Sequence, residues 1–512
     1  MGDVSSFTQG AGEIADVAGW QPGFFGQDQY RLRPNLTLTA GLRWDPNIPP
    51  TAAGGRGAAF IPGETSTLYP NAPTGLVFPG DKGVTSGLMP ATYAYWEPRL
   101  GVAWQPRSLP HTSFRAGVGF FTAPLMYSMY NHTADISPFS PTYSFSGSPS
   151  SPVSFDNPWA NFSGTGGKSP FPPFTSISAK PASNAPFATP VSIPAIFSND
   201  FHLGITQSWN VSVEQELGHN MAAHLAYVGS ESYHQSTIID QNPGIYANGG
   251  NRTTYGNFGE ILTDFSNTTS SYHALQATVD KHFSHGFQFQ SNFTWSKVID
   301  VASSGNVSFG SNQLPDPLPS GLRWNRGISA LNVPLIWVSN MIYTTPGLTG
   351  RNQLVKSILG SWEVSAIVTS QSGSPFGISS GENNNSGSQQ WGDRADVVPG
   401  KAFNVHQGSK SQWMANYFNT AAFAYNAAGT FGDSGKNIFR GPAVNSTDLG
   451  LMKNWALMEG IHLQFRCEMF NAFNHPNMGI PGNTVGWGGF GQITSLGSVP
   501  PRVMQGALKL SF

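Results

Sequence analysis

Between Phe287 and Ser296 the chain changes side-chain character at almost every step. Phe287, Phe289, Phe293 and Trp295 fall on one side, and Gln288, Gln290, Asn292, Thr294 and Ser296 on the other. A period of two sends successive side chains to opposite faces of an extended strand, whereas a helix would mix the two sets around its axis. The segment is therefore a strand whose faces meet different surroundings. In a soluble sandwich the apolar face points to a core; in a membrane barrel it points to lipid and the polar face lines a wet lumen.

The pattern recurs. Trp209, Val211 and Val213 alternate with Asn210, Ser212 and Glu214, and Leu36, Leu38, Ala40, Leu42 and Trp44 with Thr37, Thr39, Gly41 and Arg43. Leu463, Phe465, Cys467 and Met469 alternate with Gln464, Arg466 and Glu468, and Leu508, Leu510 and Phe512 with Ala507, Lys509 and Ser511. No stretch carries a helical period of similar length. Strands are expected at 21–30, 36–46, 96–105, 112–121, 205–217, 222–229, 272–282, 287–296, 334–343, 358–371, 447–456, 461–472 and 502–512. Their connections alternate between short links, such as 31–35, 218–221 and 456–460, and long ones, such as 47–95, 122–204, 230–271 and 372–446. The long links are rich in Gly, Ser, Asn, Pro and Thr, as loops are. Loops of this length are uncommon inside a compact soluble domain. Strict short-long alternation is the habit of outer-membrane barrels, with short periplasmic turns and long extracellular loops. This favours an antiparallel transmembrane β-barrel, all-β and partial, with about 13–14 strands, over a secreted sandwich. Residues 1–20 read as an irregular N-terminal remnant and 21–512 as barrel.

Composition agrees. Only 11% of residues are charged, against roughly 25% in an average soluble domain. The apolar fraction is 39%, with no run of 18 apolar residues that could form a transmembrane helix. Alternating strands average to this intermediate value. A net charge of -2 gives no basic face for nucleic acid. The single cysteine, Cys467, excludes an internal disulfide framework. Tyr30, Trp44, Trp104, Trp209, Trp295 and Trp455 fall near the expected strand ends, where interfacial girdles sit; packing residues at loop bases have the same composition.

The alternation also sets direction. With short links in the periplasm, the first strand runs inward and Phe512 ends in the periplasm. Thirteen strands do not close in the even-numbered bacterial pattern, and an inward first strand requires an odd number before it. Residues 1–6 show no export signal. The expectation is a part of a longer gene product.

Several segments resemble the Oar-like branch of TonB-dependent transporters. Phe25-Gly26-Gln27-Asp28-Gln29-Tyr30-Arg31 followed by Leu36-Thr37-Leu38-Thr39-Ala40-Gly41-Leu42-Arg43-Trp44 is similar to that family's first barrel hairpin. Glu97-Pro98-Arg99-Leu100-Gly101, Tyr272-His273-Ala274-Leu275-Gln276, Gln371-Ser372-Gly373-Ser374-Pro375-Phe376 and Phe470-Asn471-Ala472-Phe473-Asn474-His475-Pro476 match further motifs in the same order. The resemblance implies a bacterial (Gram-negative) outer-membrane receptor for a nutrient ligand, saccharide or peptide, with no cofactor. It implies a barrel of about 22 strands around a plug, so that about nine strands, the plug and the N-terminal domain have no counterpart here. Lipid and the barrel-assembly machinery are the implied partners, with the TonB complex reached only through the missing plug. Gln505, Ala507, Leu510 and Phe512 resemble the assembly signal that this machinery reads, with Ala507 where Gly is preferred. On this reading Phe287, Phe289, Phe293 and Trp295 face lipid and Gln288, Gln290, Asn292 and Thr294 face the lumen, with Phe289 near the bilayer midplane. A passive or structural barrel fragment and a secreted carbohydrate-binding β protein are the alternatives.

Catalytic look-alikes are weak. Gly432-Asp433-Ser434-Gly435 spells a serine-protease nucleophile motif, but no segment around His462 or His475 supplies its general base. Gly164-Thr165-Gly166-Gly167-Lys168-Ser169 lacks the first glycine of a phosphate loop, having Phe162 there. His282 with His285, and His219 with His224, lie at turns and fall short of the three or four ligands of a metal site. The chain is therefore read as no enzyme, with no metal and no catalytic residue. Trp391, Trp413 and Tyr417, near Asn383-Asn384-Asn385, are a candidate ligand loop for a sugar or peptide; a solvated loop with packing aromatics is the competing reading.

Overall fold

A computed structural model of the protein describes residues 3–10, 16–140, 142–147, 152–160, 167–169, 180–187, 189–303, 319–381, 385–390, 392–405 and 408–512. Thirteen strands follow one another in a single antiparallel path within the main sheet. They are β1 (Phe24–Arg33), β2 (Leu36–Trp44), β3 (Trp96–Trp104), β4 (Thr112–Thr122), β5 (Ile205–Gly218), β6 (Met221–Asp240) and β7 (Phe258–Ser284). There follow β8 (Phe287–Asp300), β9 (Leu335–Thr344), β10 (Trp362–Gln371), β11 (Val444–Met458), β12 (Ile461–Phe470) and β13 (Val503–Ser511). Every strand expected from the alternation is present, and the fold is all-β and antiparallel. Among the described residues no helix is long and apolar enough to cross a membrane, which says nothing of crossing by strands. β1 and β13 end the path, and among the described residues neither has a partner strand on its outer side.

Turn chemistry fixes the hairpins. His219 and Asn220 adopt φ of 55° and 60°, and His285 and Gly286 adopt 53° and 77°. Positive φ at both central residues is the type I′ geometry whose twist matches a two-residue hairpin. This also accounts for two of the turn histidines. The links 34–35, 105–111, 219–220, 285–286, 345–361 and 459–460 lie at one end of the sheet, called the turn end here, and the long links lie at the other.

Three expectations need correction. Most of the link placed at 230–271 is strand, because β6 and β7 are 20 and 27 residues long. About 9–11 residues cross a bilayer, so both strands continue beyond it at the loop end, where Val191–Phe197 adds to β7 in parallel. Above the membrane no lipid demands alternation, and the Ser/Thr-rich sequence reads as loop. Next, the strand placed at 358–371 begins only at Trp362, because Gln353–Leu359 is a helix. The Asn352 side chain starts it by accepting from the Val355 amide at 2.8 Å. Finally, the segment read as irregular at 1–20 contains Ser6–Gly10, which pairs antiparallel with Thr142–Ser146 in a long link.

The buried hydrophobic residues sit mainly in the long links, not between the strands. One cluster joins Phe60, Leu76 and Phe78 to Ile136, Phe139, Ile193, Ile196 and Ile261. A second gathers Leu88, Met89, Tyr95, Met129, Tyr130, Phe197 and Phe201. A third holds Phe376, Ile378, Phe418, Phe423 and Val485. The loops therefore form a folded cap with its own cores.

Candidate functional site

Strand register sorts the wall into two faces, since directly paired residues point to the same side. Tyr30, Leu38, Val102, Ala116, Val211, Tyr227, Leu275, Trp295 and Leu335 are successive partners across nine strands. All but Ala116 are exposed. The next row toward the turn end runs Leu36, Trp104, Phe114, Val213, Leu225, Ala277, Phe293 and Trp337. Phe293 and Trp295 are 41% and 60% exposed, in a band of apolar side chains that the protein itself does not cover. Phe287 and Phe289 continue this face beside Tyr343 and Met341. Phe289 lies two residues from the start of β8, so Phe293 and not Phe289 is the residue near mid-strand.

The opposite face is polar and small. Gln27, Gly41, Arg99, Gly119, Ser208, Ser230 and Tyr272 form one row across it. Gln290 pairs with Asp280 and Asn340, and the Asn292 carboxamide oxygen accepts from the Thr278 hydroxyl at 3.0 Å. Gln288 and Thr294 share this side. Arg115 meets Glu214 at 3.4 Å, and Arg99 meets the buried Glu97 at 2.9 Å, so charges on this face are largely paired.

At β13 the four residues of the signal-like pattern divide between the faces. Gln505 donates to Glu468 at 2.5 Å and Ala507 pairs with Arg466, both on the polar side. Leu510 pairs with Leu463 on the apolar side, and Phe512 is 98% exposed. Of the girdle aromatics, Trp44 and Trp104 end their strands and Trp44 stacks between Phe24 and Trp96. Tyr30 and Trp295 lie inside theirs, because β1 and β8 extend past the expected ends, and Trp209 is the fifth residue of β5, which starts where expected.

The cap stands at the loop end and is tied together by buried polar groups. Asp240 is fully buried and accepts from Arg252, from the amides of Asn242 and Ile261 (2.9 Å each) and from Gln390 at 2.6 Å. Gly244 donates to the Ser388 carbonyl at 2.8 Å, and Arg252 to Gln389 at 3.1 Å. These bonds join link 241–257 to link 372–443. Nearby, Asp264 is buried on the extended part of β7, beyond the length that crosses a bilayer. Burial pushes its carboxyl up to about 7, against the hydrogen bonds it accepts from the Ser236 hydroxyl at 2.6 Å and the Thr237 amide. Arg394 lies 3.7 Å over the Trp324 ring, and burial lowers its guanidinium to about 10.

The structure separates the sequence look-alikes. Ser434 is 1% exposed and its hydroxyl has no hydrogen-bond partner, while any side chain added at Gly432 would collide with the Arg394 carbonyl. A buried hydroxyl without a base is not an activated nucleophile. Trp413 and Tyr417 pack on each other at 5.4 Å, and Tyr417 donates to the Arg440 carbonyl at 2.7 Å and packs against the third core. Trp391 and residues 164–166 lie outside the described residues. Sequence reasoning missed His202 and His234, whose rings meet at 5.8 Å in a cleft of about 190 Å³ at the cap's base. They are 32 positions apart, and no local motif links them. Among the described residues no group of three His, Cys, Asp or Glu converges as a metal site would require.

A family model described as "Outer membrane beta barrel domain" matches residues 1–505. The chain belongs to this family. It is an outer-membrane β-barrel chain, located in the bacterial outer membrane. No curated protein matches the sequence. Among solved structures, the outer membrane transporter YddB from Escherichia coli is similar at 11% identity and a TM-score of 0.49, covering 96% of this chain and 45% of that one. The FrpB iron transporter from Neisseria meningitidis has 11% identity and a TM-score of 0.41, covering 95% and 45%. The pyoverdine receptor FpvA from Pseudomonas aeruginosa has 11% and 0.43, covering 94% and 41%. The barrel chain spans less than half the length of each of these structures.

Proposed function

We propose that this chain forms much of the wall and the extracellular cap of an Oar-like TonB-dependent transporter, which admits a saccharide or peptide nutrient without converting it chemically. The carrying observation is the single antiparallel meander, which sets every long folded link at one end, above a wall with one polar and one apolar face. In this reading the apolar face meets lipid, and the polar face lines the lumen through which a ligand held by the cap passes. Among the described residues nothing pairs the outer edges of β1 and β13, and unpaired backbone N–H and C=O groups are costly in hydrocarbon. Further strands, as the resemblance implies, would pair these edges. A plug in the lumen would couple the barrel to the TonB complex, and the barrel-assembly machinery would read Gln505, Ala507, Leu510 and Phe512.

Deleting the gene in its host tests the proposal, with uptake of a labelled oligosaccharide mixture and a labelled peptide mixture as the readout. Loss of uptake of one mixture is expected, restored by the gene and abolished by a protonophore. Unchanged uptake of both, together with steady ion conductance through the reconstituted chain, would replace the transporter by a passive pore.

A further inference from the structure

Lys453 stands on the apolar face of the wall, where a cation is out of place. It pairs with Trp362 on one side and Phe465 on the other, in a row that continues to Leu508. Yet Lys453 is only 2% exposed, because the helix Gln353–Leu359 and the turn after it cover it. Its ammonium donates to the Gly360 carbonyl and lies 5.1 Å and 5.6 Å from the rings of Trp362 and Trp455. Those two indoles donate in turn to the carbonyls of Ile358 and Ser357, at 2.7 Å each. The last carbonyls of a helix have no partners within it and carry partial negative charge. Here three donors of the wall's apolar face, one of them cationic, satisfy the carbonyls of Ser357, Ile358 and Gly360.

This docking fixes where the helix lies. Its C-terminal end rests on the apolar face of the wall, near the turn end, in register with the half-buried Phe465 of β12 and the exposed Leu508 of β13. Beside Gln353 at its start, it leaves apolar residues uncovered: Leu354, Ile358 and Leu359 are 70%, 56% and 61% exposed. Leu354 and Ile358 share one side at a spacing of four. Arg351 and Lys356 flank them, as basic groups flank the apolar side of helices that lie in a membrane interface.

We propose that the helix Gln353–Leu359 is an interfacial anchor, seated on the wall's outer face at the periplasmic rim with Leu354, Ile358 and Leu359 in the acyl chains of the inner leaflet. The occupant is phospholipid because the surface continues the wall's apolar band, and the inference rests on that band facing lipid. In this arrangement Lys453 holds the anchor in place while the anchor shields Lys453 from hydrocarbon.

The test uses the full chain, with Cys467→Ser removing the native thiol, refolded into phosphatidylcholine vesicles carrying brominated acyl chains. A fluorescent thiol probe is placed at Leu354→Cys, at Leu359→Cys or, on the wall, at Phe293→Cys, and a heat-shifted gel band confirms folding of each. Loss of most of the fluorescence at all three sites, with little quenching by aqueous iodide, is expected. Lipid quenching at Phe293→Cys alone, with iodide quenching at both helix sites, would overturn the anchor and leave the wall's orientation standing. Absence of lipid quenching at all three sites would overturn both.

Discussion

The wall and the cap use the same kinds of side chain in opposite senses. In the wall, Tyr30, Val211, Trp295 and Leu335 are exposed, and no protein layer packs over them. In the cap, Phe78, Ile193, Tyr130 and Phe418 are among the most deeply buried residues of the chain. The wall is held by backbone ladders that run from β1 to β13, and in the proposed orientation lipid supplies the apolar surroundings. The cap is held as a soluble domain is, by removing apolar surface from water. One sequence thus carries two folding codes, and which one operates depends on distance from the turns.

The comparison breaks most sharply at Phe418, which stacks on Phe439 at 4.9 Å and meets Phe490 at 5.3 Å. Phe418→Ala should cost about 3–5 kcal/mol of local stability. Faster hydrogen exchange in links 372–443 and 471–502, with strands β1–β9 unchanged, is the expected result; uniform acceleration would mean that cap and wall fold as one. Phe293→Arg attacks the wall instead. It should cost about 2–4 kcal/mol or block insertion, while Gln290→Arg on the polar face stays mild. Equal loss of folded, heat-shifted protein on a gel would remove the distinction between the faces.

The smallest effect sharpens the comparison through pH. Asp264 has a folded pKa raised to about 7 from an ordinary 3.8. A raised folded pKa means that folding takes up a proton, so its contribution is fully present below the ordinary carboxylate pKa and is lost as pH rises through 7. Exchange at β7 residues 258–264, corrected for intrinsic chemistry, should be slower at pH 5 than at pH 8. Asp264→Asn should flatten that difference, and β8, within the wall, should show none. A pH response unchanged in the variant would assign it to another group.

Much of the wall was legible because a barrel strand between two different surroundings alternates, and Phe287 to Ser296 carries that alternation with Ser291 as its one break. The extensions of β6 and β7 were not, since Glu231 to Asp240 and Phe258 to Ser271 stand beyond the two-faced wall. The helix Gln353–Leu359 was hidden in the approach to β10, because Leu354, Ile358 and Leu359 suit a strand as well as a short helix. His202 and His234, like Asp240 and Gln390, meet only through the fold of the cap, so no spacing announces them. The parallel strand Val191–Phe197 was lost for the same reason: its partner lies 67 residues further along the chain, from Val191 to Phe258.

The cap's cores divide by lobe. Links 45–95 and 123–204 build the first two with the head of β7, links 372–443 and 471–502 build the third, and Asp240, Gly244 and Arg252 with Ser388 to Gln390 form a seam between them. Because each lobe has its own buried core, one can change sequence while the other keeps its shape. In the proposed transporter, half-replacement of the cap would alter the ligand it admits, and the seam is a boundary among the described residues that both halves must continue to respect.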